Sequence, residues 1–399
     1  MKICPICKSK KIISSSFGKS PVSGYVCKNI KDSFKQKKYK VTINFCKKCG
    51  ILFRQKVSWA KKLVDKIYKT HEATNRASKS YKKHYKYFCQ QILRLVSSTK
   101  RPKILEIGCN DGSLLKLIKK SNPQCLLYGY EPSKIAKKWN KTNNYVLINS
   151  FLNMRTAKKF VKKYGHVDVV FARHVLEHIE EPHEFIRALT HLCKSSGSIV
   201  IESPYVLSIL RCLRYENISY THAIHYSLKA IQRLFSKQSF NITFFKTVKA
   251  DGGSAIYILC KKDKLPVKIK NLFKSESQSK KYFINFKKGF EKKRELLIRL
   301  LDKYRKHLEI IGFGAGAKGI FLIHILKIQK VLSRVIDNTK NYENKYIPAT
   351  DLAITPLTNN VLNKKVCILN LAPTHIDLVR KKCIQAGAFL DPIKYFGNK

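Results

Sequence analysis

The stretch that most limits what this chain can become is KILEIGCNDGSLL, residues 103–115. Ile104, Leu105 and Ile107 read as a buried strand, followed by a glycine turn and the first turn of a helix. Glu106, Gly108, Asn110 and Gly112 lie on or beside the turn. Gly108 and Gly112 let the backbone approach a ligand that a Cβ would hold off. Asp111 or Ser113 can cap the helix. Such a strand–loop–helix unit makes a nucleotide-type pocket at the carboxyl end of a parallel strand. Further strands are expected at 125–130, 145–148, 167–172 and 198–202, with helical patterns between them. This alternation predicts an α/β fold with a doubly wound sheet over 101–262. Glu131 closes the second strand about twenty residues past the loop, where an acid meets ribose hydroxyls.

The pattern restarts near the carboxyl end. A strand at 308–311 runs into Gly312-Phe313-Gly314-Ala315-Gly316-Ala317-Lys318-Gly319 and then an apolar helix. Gly314, Gly316 and Gly319 fit G-x-G-x-x-G in its proper context, so backbone N–H groups can face a pyrophosphate. A strand at 331–336 ends at Asp337, again an acid about twenty residues on, which keeps NAD binding open. Segments 367–371 and 374–386 add one more strand–helix unit.

Thirteen cysteines are an odd, scattered set, which argues against a secreted disulfide framework. Cys4-Pro-Ile-Cys7 and Cys46-Lys-Lys-Cys49 form two C-x-x-C knuckles, each able to give zinc two thiolates. Four cysteines close the coordination sphere, so a structural zinc is expected; Cys27 reads as a buried free thiol. No apolar run approaches membrane-spanning length, and MKICPICKSKK lacks the apolar centre of a signal peptide; a cytoplasmic protein is expected. The net charge of +55 admits nucleic-acid binding. Lysines are spread through every region without an arginine cluster or aromatic–basic RNA motif, so the charge reads as general surface enrichment. Its field attracts small anions such as nucleotides.

Helical faces are expected at Trp59, Leu63, Ile67 and Tyr68, and at Tyr81, Tyr85, Phe88, Ile92 and Leu95. Residues 263–281, rich in Lys and Ser, read as a linker, followed by a long helix over 283–304 with Phe286, Phe290, Leu297, Leu300 and Leu301 inward.

The set LEIGCNDG, YGYEPS, VDVVFARHVLEHIEEP and GSIVIESPY resembles a class I S-adenosylmethionine-dependent methyltransferase. With the C-x-x-C knuckles and the second glycine loop, the chain resembles sugar C-methyltransferases. These act on nucleotide-linked keto-sugars and carry an N-terminal zinc module. The resemblance implies a zinc-binding module with a connecting helix at 1–75, a class I methyltransferase domain at 76–262, and a Rossmann-like substrate-binding domain at 263–399. Glu106, Gly108, Asn110 and Gly112 then surround the methionine end of S-adenosylmethionine, Glu131 binds its ribose, and Asn149 and Phe151 cradle its adenine. His174 and Arg173 stand near the sulfonium. Gly314, Gly316, Lys318 and Gly319 hold the nucleotide-sugar, and Cys4, Cys7, Cys46 and Cys49 hold zinc.

The resemblance places His178 in the active site; the competing reading is a helix N-terminal histidine satisfied by Glu181. The family's F-D-x-I-Y-H-E-H segment falls on 215–222, where, of the motif's closing tyrosine, histidines and glutamate, only the last histidine, His222, survives in register. Ser219, Tyr220 and Thr221 replace its tyrosine, histidine and glutamate. His222 is the expected base, with His178, Tyr220 or Arg173 as hydrogen-bond donors to the acceptor oxygen. His225 is a second candidate, or a cap for the helix at 228–235. Methylation at oxygen or nitrogen of a related sugar nucleotide, an RNA methyltransferase, and a non-catalytic nucleotide-sugar-binding protein are the alternatives.

Overall fold

The structure is a computed structural model. It describes residues 2–55, 57, 65, 79–134, 136, 145–249, 252–262, 264–358, 361, 365–372, 379–381, 383 and 387–391. The expected helical face at Trp59, Leu63, Ile67 and Tyr68 lies outside these residues, as does most of the helix expected at 374–386. Contacts gather the chain into two compact units. The first comprises Met1–Ile12, Cys46–Val206 and Ala223–Gln278; the second comprises Ile13–Phe45, Leu207–His222 and Ser279–Lys399.

The first unit is built on seven strands: β1 (Lys103–Ile107), β2 (Leu126–Tyr130), β3 (Val146–Ile148), β4 (Val167–Arg173), β5 (Cys193–Pro204), β6 (Phe240–Val248) and β7 (Ser254–Lys261). Their order is β3-β2-β1-β4-β5-β7-β6. The first five run parallel, whereas β7 is antiparallel to both β5 and β6. The order reverses beside β1, so the connections after β1 and β4 diverge there and open a crevice at the strands' carboxyl ends. Near-continuous apolar runs such as Val169-Val170-Phe171-Ala172 make these strands, because a parallel sheet is buried on both faces.

Helices α1 (Lys79–Arg94), α2 (Ser113–Ser121), α3 (Met154–Tyr164), α4 (Pro182–Leu192), α5 (Leu228–Ser236) and α6 (Val267–Ser275) accompany the sheet. Phe88 and Ile92 of α1 and Leu114, Leu115 and Ile118 of α2 share a core with Ile104, Phe171 and Val200; Tyr85 and Leu95 pack against it. Each such side chain contributes roughly 1.5–3 kcal/mol on burial. Local chemistry sets the helix ends. Asn153 and Thr156 form a reciprocal capping box on α3, and Pro182 opens α4. Ser227, rather than His225, caps α5 by accepting the Ala230 N–H at 3.0 Å. The expected linker at 263–281 contains α6, because Ile269, Leu272 and Phe273 recur at helical spacing among the lysines. Just beyond it, buried Glu276 accepts the backbone N–H groups of Leu228 and Lys229 at the start of α5.

The second unit has a six-stranded sheet: β8 (Glu309–Phe313), β9 (Arg334–Ile336), β10 (Lys345–Tyr346), β11 (Ala353–Thr355), β12 (Val366–Asn370) and β13 (Ala388–Leu390). The order is β10-β11-β9-β8-β12-β13, parallel except for β10. Helix α7 (Ser279–Tyr304) buries Phe283, Phe286, Phe290, Leu297 and Leu301. Tyr215 packs against Phe286 and Phe290, and its hydroxyl donates to the Phe286 carbonyl at 2.8 Å. Helix α8 (Ala317–Ile325) is buried from Gly319 through Ile325. Among the described residues, no helix is long and apolar enough to cross a membrane.

Candidate functional site

At the carboxyl end of β1 the chain turns through Gly108, Asn110 and Gly112, all with positive φ. A Cβ on Gly112 would lie 2.5 Å from the Tyr145 ring, so no larger residue fits there without displacing it. Asp111 Oδ1 accepts the Ser113 N–H at 2.9 Å and steadies the start of α2. Glu131 staples the loop from the next strand. Its Oε2 accepts the Asn110 N–H at 2.9 Å, and its Oε1 accepts the Ser133 N–H at 3.0 Å. The Asn149 amide donates to the Glu131 carbonyl at 2.8 Å and the Ser133 carbonyl at 3.3 Å, joining the ends of β2 and β3. Phe151, next along, is exposed. Glu106 is buried under the loop, and its Oε2 has no hydrogen-bond partner among the described residues. Burial pushes its carboxyl up to about 8; nearby Arg173 opposes this, and Asp111 and Glu131 add to it.

A second group forms where β4 and β5 end. Arg173 Nε donates to Glu202 Oε2 at 2.7 Å, and its guanidinium lies over the Tyr85 ring of α1 at 4.6 Å. His174 has φ +52° and brings Nδ1 to 3.2 Å from Glu177 Oε1. Burial alone would raise Glu202; Arg173, with His174 and His84, outweighs it and holds the carboxyl well below its usual range. Glu177 is also held low: burial opposes this, but His174 and His178 prevail. His178 closes the 3-10 turn Leu176–His178, its N–H bonded to the Val175 carbonyl at 3.0 Å. Sequence reasoning missed Glu177, Glu202 and His84. The i, i+3 pairing of Glu177 with His174 was readable, whereas His84 meets Glu202 across 118 residues.

The segment 219–222 belongs to the second unit. The Ser219 and Thr221 hydroxyls pair at 2.9 Å, the Tyr220 hydroxyl donates to the Lys40 carbonyl at 2.7 Å, and the His222 N–H donates to the Ser219 carbonyl at 3.1 Å. His225, in the first unit, is buried. In the second glycine loop, Gly314 has φ +113°, and a Cβ on Gly319 would stand 2.0 Å from the Gly314 carbonyl oxygen. Asp337 Oδ2 accepts the Ala315 N–H at 2.8 Å. Gly316 is open to its surroundings, and Lys318 is half-buried on the first turn of α8.

The sulfurs of Cys4, Cys7, Cys46 and Cys49 all lie within 4.8 Å of one another, with Cys4–Cys49 at 3.5 Å and Cys7–Cys46 at 3.6 Å. A zinc tetrahedron with Zn–S of about 2.3 Å has its sulfurs about 3.8 Å apart, so the four residues fit that ion. Shared hydrogen bonds among these thiols push Cys4 and Cys49 up and hold Cys46 down. The knuckles rest on the first unit's helices. His183 of α4 bonds the Ile6 carbonyl at 3.0 Å, and the Ser227 hydroxyl donates to the Cys49 carbonyl. Cys27 stands apart from the four, its backbone paired with Tyr346 in the second unit. A hollow of about 360 Å³ lined by His166, His191 and Lys194 opens at the start of β5, at the opposite end of the strands from the glycine loop. Its lysines are engaged by Asp168 and Ser195.

The strand order, the antiparallel β7 and the loop under Glu131 define the first unit as a class I methyltransferase fold. A methyltransferase-domain family model matches residues 81–243, and a C-methyltransferase C-terminal domain model matches residues 249–387. Residues 81–243 thus belong to a methyltransferase-domain family and residues 249–387 to the C-methyltransferase C-terminal domain family. It is similar to the C-methyltransferase NovU of Streptomyces niveus, at 19% identity over 241 residues. That match takes in 60% of this chain and 56% of the relative's length. Among solved structures it is similar to magnesium protoporphyrin IX methyltransferase (ChlM) from Synechocystis PCC 6803. The identity is 17% and the TM-score 0.36, covering 51% of this chain and 95% of that one. The N-methyltransferase NodS from Bradyrhizobium japonicum WM9 is similar at 15% identity and TM-score 0.31, covering 44% of this chain and 94% of that one.

Proposed function

We propose that the protein is an S-adenosylmethionine-dependent methyltransferase that methylates a carbon beside the carbonyl of a nucleotide-linked keto-deoxysugar. The observation that carries the donor assignment is local charge. In a chain of net charge +55, five buried acidic side chains crowd the ends of β1, β2, β4 and β5: Glu106, Asp111, Glu131, Glu177 and Glu202. The unpartnered Oε2 of Glu106 among them suits a cationic ligand. S-adenosylmethionine, when bound, supplies a methyl group already activated on a sulfonium. Glu106, Gly108, Asn110 and Gly112 would receive its methionine end, Glu131 its ribose, Asn149 and Phe151 its adenine, and His174 the region of the sulfonium.

The chain's own residues then need only make the acceptor carbon electron-rich and hold it in line. His222 takes the proton alpha to the carbonyl. His178 or Arg173 is the hydrogen-bond donor for the oxygen that gains charge; Tyr220, the third candidate, already donates its hydroxyl proton to the Lys40 carbonyl. Gly314, Gly316, Lys318 and Gly319 bind the substrate's pyrophosphate. Cys4, Cys7, Cys46 and Cys49 would hold a structural zinc with no open coordination position.

The test uses a nucleoside-diphosphate 4-keto-deoxysugar. In deuterated water without donor, the wild type should exchange the proton alpha to the carbonyl. With donor it should give a carbon-methylated product by mass spectrometry and NMR. His222→Ala should lose the exchange while still binding S-adenosylhomocysteine. Undiminished exchange in that variant removes His222 from the mechanism, and a methyl group on oxygen refutes carbon methylation.

A further inference from the structure

One buried carboxylate in the first unit gathers groups from separate elements. Glu202, fully buried at the end of β5, has Oε1 2.7 Å from His84 Nε2 of α1 and Oε2 2.7 Å from Arg173 Nε of β4. His174 Nε2 lies 3.6 Å from Oε1, and the His174 backbone N–H donates to the Glu202 carbonyl at 2.9 Å. Arg173 in turn lies over the rings of Tyr85 and Phe88, at 4.6 and 4.8 Å. Helix α1 is thus tied to the strand ends twice, once by His84 on Glu202 and once by its aromatic face under Arg173.

Stability alone does not explain such a residue. A fully buried ion pair seldom outperforms apolar side chains of the same volume, because desolvation offsets the attraction. What Glu202 supplies is direction. Its two oxygens point Arg173 one way and His84 the other, and its carbonyl anchors a histidine held in the left-handed region, where side chains persist only when surroundings constrain them.

We propose that Glu202 is a positioning residue of the methyl-donor pocket, fixing Arg173 and His174 at the end of β4 and latching α1 over them through His84. The proposal rests on the reading that this pocket takes S-adenosylmethionine. Glu202 acts through Arg173, His174 and His84 rather than on the reacting atoms.

Calorimetric titration of the full chain with S-adenosylmethionine and S-adenosylhomocysteine tests it. Glu202→Gln keeps the volume and removes the charge. It should weaken both ligands by about tenfold to hundredfold, the worth of a lost charge-assisted hydrogen bond. Glu202→Asp, which restores the charge with a shorter reach, should recover part of that loss. His84→Gln should weaken binding less than Glu202→Gln, and the double variant should bind no worse than Glu202→Gln alone, because both changes break one latch. A Glu202→Gln protein that melts earlier yet binds both ligands as the wild type does would overturn the proposal, as would fully additive losses. Should Glu202→Gln fail to fold, unchanged affinity in His84→Gln overturns the latch. A wild type that binds neither ligand defeats the functional reading itself; a wild type that binds them, with variants to match, defeats only the positioning role.

Discussion

The loop after β1 and the loop after β8 are held by the same device on different foundations. Glu131 accepts the N–H of Asn110, 21 residues before it, and of Ser133, two after it. Asp337 accepts the N–H of Ala315, 22 residues before it, and of Thr339, two after it. In both, an acid at the end of the neighbouring strand staples the turn. The strands beneath differ. Four residues before the stapled N–H, β1 carries Glu106 and β8 carries Ile311. Three residues after it stand Ser113 in the first loop and Lys318 in the second. One loop is floored by a buried carboxylate and suits a cation; the other is floored by hydrocarbon, has a lysine on its helix, and suits a phosphate. An acid twenty residues past a glycine loop therefore has a structural task before any ribose arrives, and the ligand's charge is read from the residues around the staple.

The largest test of this contrast exchanges a loop glycine. Gly112→Ala places a Cβ 2.5 Å from Tyr145 at a φ of +69°. It should cost on the order of a hundredfold in S-adenosylhomocysteine affinity by calorimetry. Gly319→Ala, with its Cβ 2.0 Å from the Gly314 carbonyl oxygen, should abolish nucleoside-diphosphate binding and leave S-adenosylhomocysteine within about twofold, since the two loops belong to different units. Equal losses for both ligands would merge the two sites into one. Next come the staples. Glu131→Gln should weaken the first ligand by about tenfold and Asp337→Asn the second, each losing a charge-assisted hydrogen bond to its loop.

The pH dependence of donor binding should separate the floors. Burial raises the Glu106 carboxyl to about 8, so below that pH it carries a proton that a cationic ligand expels. S-adenosylmethionine affinity should therefore rise with pH toward about 8, by at most about tenfold per unit, and then level off. The sign for stability is opposite. The folded state binds this proton more tightly than the unfolded state, so Glu106's contribution is full below about 4.5 and is lost as pH rises to about 8. Glu106→Gln should flatten both profiles; a wild-type affinity independent of pH would remove Glu106 from the cation's neighbourhood. The smallest effect belongs to Lys318→Ala, a loss of about threefold to fivefold for a nucleoside diphosphate by fluorescence titration, since a half-buried lysine meets phosphate partly screened by water.

Much of the sheet was legible, because its central strands are apolar runs closed by a glycine loop or an acid. β1 was read to the residue, and the inward face of α7 was read apart from Leu300, which is only half-buried. The antiparallel pair β6 and β7 was not anticipated. Phe240–Val248 mixes polar and apolar residues on an edge, and its place is fixed by pairing with β7, which in turn pairs with β5, rather than by local pattern. Helix α6 hid among lysines. In the site, the cysteine knuckles and loop glycines announced themselves by spacing, whereas Glu202 and Glu276 act on residues 118 and 48 positions away. Spacing reports only neighbours along one element, so these partners were invisible until the sheet had brought strand ends together.

The two knuckles also carry a consequence for how the polypeptide is made. Between Cys7 and Cys46 the chain leaves the first unit after Ile12 and rejoins it at Cys46, having contributed Ile13–Phe45 to the second. It leaves again for Leu207–His222 and returns at Ala223. Neither unit is one continuous length of chain, so no single proteolytic cut separates the two: a cut after Gln278 keeps every segment of the first but takes Ser279–Lys399 from the second. During synthesis the first unit lacks its last segment until Gln278 has left the ribosome, by which time two pieces of the second are already waiting. The second unit is the one that must wait: the first has all its segments once Gln278 emerges, whereas Ile13–Phe45 and Leu207–His222 stand without the rest of their unit until Ser279–Lys399 follows.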